Sequence, residues 1–178
     1  MKKASVALAL VLAALCSVPV TNAQRSTGES VDDTTIAVSV KTALTKSERV
    51  SANNVNVEVY KRTVQLSGFV PSRDAQSAAL EIASETGGVE NVLDAMVVLP
   101  GERSVGRTID DNTIHAQVKF KIAEVSGFGD AIGVVTHVRS GDVILSGFVD
   151  SDTLHDDLIA AAESVKGVVK VHDKLAVK

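Results

Sequence analysis

The chain has no tryptophan, one tyrosine and four phenylalanines, so aromatic residues make up only 3% of its 178 positions. A platform on which bases or sugars stack needs more rings than that. Positive charge is also short, with 18 Lys and Arg against 22 Asp and Glu, a formal net charge of −4. Nucleic-acid binding draws much of its affinity from phosphate neutralisation, so an acidic chain argues against it. There is one cysteine, Cys16, and therefore no intramolecular disulfide or CxxC chemistry. The nucleophile elbow Gly-x-Ser-x-Gly, the pair Ser-x-x-Lys, the zinc motif His-Glu-x-x-His and a glycine loop for phosphates are all missing. The residues thus point away from an enzyme, and no cofactor, metal or small-molecule substrate is expected.

What is present begins with Lys2 and Lys3, an apolar run from Val6 to Cys16, and Pro19 before Thr21-Asn22-Ala23. A basic start, a short apolar stretch and a small residue at the cut are the parts of a secretory signal. The run is shorter than the about 18–20 residues of a membrane span. We expect residues 1–23 to be removed after Ala23, leaving an exported chain without cysteine. Loss of Lys2 and Lys3 takes the formal charge from −4 to −6. Lipidation of Cys16 is disfavoured by Leu15, because lipoprotein signals want a small residue there.

Compared with itself, the rest of the chain repeats after about 78–79 residues, a spacing that fits tandem domains rather than a solenoid. Val31-Asp32-Asp33-Thr34-Thr35-Ile36 matches Ile109-Asp110-Asp111-Asn112-Thr113-Ile114, and Val40-Lys41 matches Val118-Lys119. Val64-Gln65-Leu66-Ser67-Gly68-Phe69-Val70 matches Val143-Ile144-Leu145-Ser146-Gly147-Phe148-Val149. Gly88-Val89, Val92, Asp94 and Val98 match Gly167-Val168, Val171, Asp173 and Val177. The predicted organisation is a tail over 24–30, a first domain over 31–99, a linker over 100–108 and a second domain over 109–178.

Each unit reads as helix, strand, strand, helix, strand. Asp33 and Asp111 can cap a first helix, whose apolar stripe is Ile36, Val40 and Leu44 in one copy and Ile114, Val118 and Ile122 in the other. Two alternating runs follow, joined in the second copy by the hairpin signal Ser140-Gly141-Asp142. Ser72 and Ser151 open a second helix, glycines close it, and a last strand begins near Val92 or Val171. The fold class is α+β: two tandem three-stranded sheets, each with two helices on one face. The other face must meet water or a partner. In the first copy it carries Asn56, Glu58, Gln65 and Ser67, which suits solvent.

Several residues have sufficient structural readings. Gly68 and Gly147, of inward parity, suit a helix packed closely over the strand. Asp94 and Asp173, also of inward parity, would each tie down a turn or helix end. Asp156-Asp157 suits the start of a helix. All four histidines, His115, His137, His155 and His172, fall in the second copy without metal-ligand spacing.

The element order, the Leu-Ser-Gly-Phe-Val strand end and the Gly-Val-x-x-Val-x-Asp close, each present twice, resemble the BON domain family (bacterial OsmY and nodulation). The whole chain looks like a two-BON periplasmic protein of the osmotically inducible type. The resemblance implies a non-enzymatic, periplasmic protein of the cell envelope, associated with osmotic or envelope stress. It also implies partners of two kinds, a phospholipid membrane surface or exported client proteins shielded in a chaperone-like manner.

The residues offer candidates for either contact. Phe120 lies off the apolar stripe of its helix, between Lys119 and Lys121, which suits a lipid surface with ammonium groups at headgroup level. Phe128 lies in Ser126-Gly127-Phe128-Gly129, read as a loop. Val135, Ile144 and Phe148 share the outer sheet face of the second copy with His137, Arg139, His172 and Lys174. The alternative is that Phe120 packs on Phe128 and that the first domain covers the outer strip, as linked domains commonly do. The second copy is expected to make contacts and the first to serve as scaffold.

Overall fold

The periodicities become four α-helices and six strands in a computed structural model that describes residues 27–101, 105–130 and 133–178. Residues 1–23, read as a signal peptide, lie outside the described residues. The first unit runs α1 (Thr27–Lys46), β1 (Asn56–Tyr60), β2 (Thr63–Val70), α2 (Arg73–Ser84) and β3 (Asn91–Val98). The second repeats it as α3 (Val105–Asp130), β4 (Val134–Arg139), β5 (Asp142–Val149), α4 (Asp152–Glu163) and β6 (Lys170–Val177). Helix α1 begins inside the segment read as a tail, and α3 inside the segment read as a linker. In each unit the middle strand pairs antiparallel with the first and parallel with the third.

Helix spacing places Ile36, Val40 and Leu44 of α1 on the inner face of the first sheet, where they meet Val64, Leu66 and Val70 of β2 and the alanines Ala75, Ala78, Ala79 and Ala83 of α2. Small alanines let α2 approach closely. The second core is built alike from Ile114, Val118 and Ile122 against Val143, Leu145, Val149 and Leu158. Each large apolar side chain so buried contributes about 1.5–3 kcal/mol. The serine caps form as read, Ser72 accepting from the Ala75 N–H and Ser151 from the Leu154 N–H, each at 3.2 Å.

Asp33 and Asp111 do not cap their helices. Both helices start earlier, so both carboxylates are mid-helix and buried. Each reaches instead to the hairpin turn of its own unit. Asp33 accepts from the N–H groups of Lys61 and Arg62, both at 2.9 Å, and Asp111 from those of Ser140 and Gly141, at 2.9 and 3.1 Å. All four turn residues have positive φ, 45° and 60° in the first turn and 57° and 81° in the second. This is the mirror turn that suits strand twist, and it leaves two adjacent N–H groups needing an acceptor.

Gly68 and Gly147 are close-approach positions, but a helix is not what approaches. A Cβ on Gly68 would lie 2.0 Å from the Asn54 carbonyl oxygen, and one on Gly147 1.8 Å from that of Gly133. The crowding comes from backbone entering the first strand of each unit, and φ values of 131° and 120° are open to glycine alone. Asp94 and Asp173 are exposed rather than buried. They still tie a strand to a helix: Asp94 accepts from Gln76 of α2 at 2.7 Å, and Asp173 meets His155 of α4 at 3.0 Å.

Candidate functional site

Two surfaces of the second unit were candidates, and the structure treats them oppositely. The outer strip of β4, β5 and β6 lies against the outer face of the first sheet. Ile144 has no exposed surface, and Val135 and Phe148 are half-buried, the Phe148 ring 5.3 Å from that of Tyr60. Phe69 meets His172 edge-on at 6.5 Å.

The polar face of the first sheet is therefore not a solvent face. Gln65 and Ser67 are buried. The Gln65 amide donates to the Lys174 carbonyl at 2.7 Å and accepts from the Gly147 N–H, so one side chain grips two strands of the other unit. Ser67 Oγ lies 3.3 Å from His137 Nε2. Alternation gave the correct parity here. Polarity misled because Gln65 and Ser67 are hydrogen-bonded across the seam rather than hydrated, while Asn56 donates to Glu58 within β1 at 2.9 Å. Ser146 is the exception, its buried Oγ having no hydrogen-bond partner among the described residues.

The outward face of α3 is uncovered among the described residues. The stripe Ile114, Val118 and Ile122 docks the helix on its sheet, and that rotation turns Phe120 outward with 61% of its surface exposed. Lys119 and Lys121 flank it in the open, Lys121 pairing with Glu124 at 2.7 Å. Beside Phe120, between α3 and the end of α4, lies a hollow of about 370 Å³ lined in part by Ala116, Val165 and Lys166. Phe128 is in α3 rather than in a loop, and its side chain lies outside the described residues.

Comparison of the two copies sharpens this face. In α1, Thr42 stands where α3 has Phe120. Lys41, which matches Lys119, is folded inward and donates to the Ala52 and Val55 carbonyls, each at 2.6 Å. Burial pushes the Lys41 pKa down. Lys119 is exposed, with no partner among the described residues.

The four histidines do not gather at one site, although His115 and His137 line the same cavity. His115 bonds the Thr136 carbonyl at 3.0 Å and His172 the Asp142 carboxylate at 2.8 Å. His155 lies between Asp156 and Asp173. Its pKa is raised by the Asp156 hydrogen bond first, then by the charge and hydrogen bond of Asp173, against an opposing contribution from partial burial. Among the described residues no three His, Cys, Asp or Glu side chains gather where they could hold a metal ion, and no helix is long and apolar enough to cross a membrane.

Residues 32–100 and 110–178 each match the BON domain. The chain is 30% identical to Osmotically-inducible protein Y of Escherichia coli K12, over 89% of this chain and 79% of that protein. It is 31% identical to Outer membrane lipoprotein DolP of Haemophilus influenzae, over 83% and 77%. It is 30% identical to a 21 kDa hemolysin of Actinobacillus pleuropneumoniae, over 83% and 75%.

Proposed function

The chain belongs to the BON domain family in both of its units, and from that premise we propose that it is a non-enzymatic protein of the cell envelope. It works in the periplasm under osmotic or envelope stress, exported by the signal peptide cut after Ala23. Relatives named for osmotic induction and for the outer membrane support the setting. Its contact is with anionic phospholipid, made by the outward face of α3 through Lys119, Phe120 and Lys121.

The single observation that carries the contact is Phe120, 61% exposed between two lysines on a docked helix. An apolar ring at that height can enter the acyl boundary while the ammonium groups stay with the headgroups. Because the protein is acidic overall, the attraction is local and short-ranged, and salt weakens it. Chaperone-like shielding by Val135, Ile144 and Phe148 has less support, since the first unit occupies that strip.

Residues 24–178 should co-sediment at low salt with vesicles containing phosphatidylglycerol and not with pure phosphatidylcholine. Phe120→Asp removes an insertion of about 1.5–3 kcal/mol, so binding should fall by about 10–100-fold with the thermal midpoint unchanged. No sedimentation of the parent protein, or full sedimentation of the variant, contradicts the reading.

A further inference from the structure

A cavity of about 520 Å³ lies where the two units meet, away from the outward face of α3. Asn53 and Asn54 reach it from the turn before β1, Asn112 and His115 from α3, and His137 and Arg139 from β4. Its lining is rich in nitrogen donors. The ionisable groups here are one guanidinium, two imidazoles and one carboxylate, Asp111. Both oxygens of that carboxylate already accept from the Ser140 and Gly141 N–H groups.

The basic set belongs to the second copy alone. Strand register equates His137 with Glu58 and Arg139 with Tyr60, and the helix repeat equates His115 with Ala37. The core positions of the two copies stay apolar while these three have all become basic. Their orientations are partly fixed. His115 Nε2 donates to the Thr136 carbonyl, His137 Nε2 meets Ser67 of the first unit, and Arg139 donates to the Gly101 carbonyl. A cavity at a domain junction with a few convergent polar groups is the usual setting of a small-molecule site.

We propose that this cavity binds a small phosphate monoester carrying hydroxyl groups. The planar guanidinium of Arg139 bonds phosphate oxygens in pairs, and the imidazole rings add nitrogens that can donate to a compact anion. The three asparagine amides both donate and accept, which is what hydroxyl groups require. The ligand would touch both units at once and so stabilise their packing. A monoester also differs from the diester headgroup of phosphatidylglycerol, so the site is distinct from the contact made by Phe120.

The test is a nitrogen-15 correlation titration of the two-unit protein with glycerol 3-phosphate, and with glycerol and phosphatidylglycerol vesicles as separate arms. Saturable shifts at the Asn54, Asn112, His115 and Arg139 amides are expected with glycerol 3-phosphate below about 10 mM, and none with glycerol. Arg139→Gln should weaken binding by at least about tenfold. Asn112→Asp, at an exposed position where folding is not at stake, should do the same by placing a carboxylate in the cavity. Absence of saturable shifts overturns the proposal, as does undiminished binding by Asn112→Asp. Shifts at these amides from vesicles but not from glycerol 3-phosphate overturn it too, by assigning the cavity to the membrane lipid.

Discussion

Asp33 and Asp111 are the most informative single residues, because they look like helix caps and act on hairpins. Lys61, Arg62 and Ser140 are non-glycine residues held at positive φ, a conformation that costs about 1 kcal/mol or more each. A buried carboxylate that accepts two adjacent N–H groups offsets that cost and fixes the hairpin against its helix. Asp33→Ala would leave those N–H groups without their acceptor, a loss of about 1–3 kcal/mol. Chemical denaturation should show that loss, while Asp32→Ala, whose exposed carboxylate pairs with Arg62 at 3.7 Å, should cost little. The sequence could not have told these roles apart. A side chain that caps its own helix and one that crosses to a turn 28 residues away differ only in where the helix begins. The serine caps were legible because their partners are three residues away.

At the level of elements, periodicity gave the helices, strands and inner faces directly, since Val40, Leu66, Val118 and Leu145 alternate or repeat as burial demands. It also gave Phe120, which is visible as a break in an otherwise regular stripe. It could not give the place of Phe128, because glycines suggested a loop where α3 continues. Nor could it give the α4–β6 link made by His155 and Asp173. The stability that His155 adds, set first by its Asp156 hydrogen bond and then by Asp173, has a definite dependence on pH. The folded pKa of His155 lies above its ordinary value near 6.5, so the protonated form is favoured by folding. Its contribution is fully present below that unfolded value and is lost as pH rises through the higher folded value. The difference in thermal midpoint between the parent protein and His155→Gln should therefore be larger at about pH 5.5 than at about pH 8. An equal difference at the two pH values would show that the imidazolium adds nothing to stability.

Across the whole molecule, duplication gave two copies of one core and then unequal surfaces. The outer faces of both sheets are used up against each other, with Gln65, Ser67 and Ile144 buried at the seam. No pattern within either copy announces that packing, because a glutamine that grips another unit has the same parity as one in water. The seam carries the Ser146 hydroxyl, which has no hydrogen-bond partner among the described residues, a local cost of about 1–3 kcal/mol. With the sheets covered, the proposed contact surface falls on the helices, where Lys41 is tied inward in α1 and Lys119 stands open beside Phe120 in α3. The central claim is this division of labour, and paramagnetic broadening of backbone amides by vesicles carrying headgroup-spin-labelled lipid tests it most directly. The account predicts broadening at Lys119, Phe120 and Lys121 and none at Lys41 and Thr42. Equal broadening of both helices, or broadening centred on Ile144 and Phe148, would contradict it.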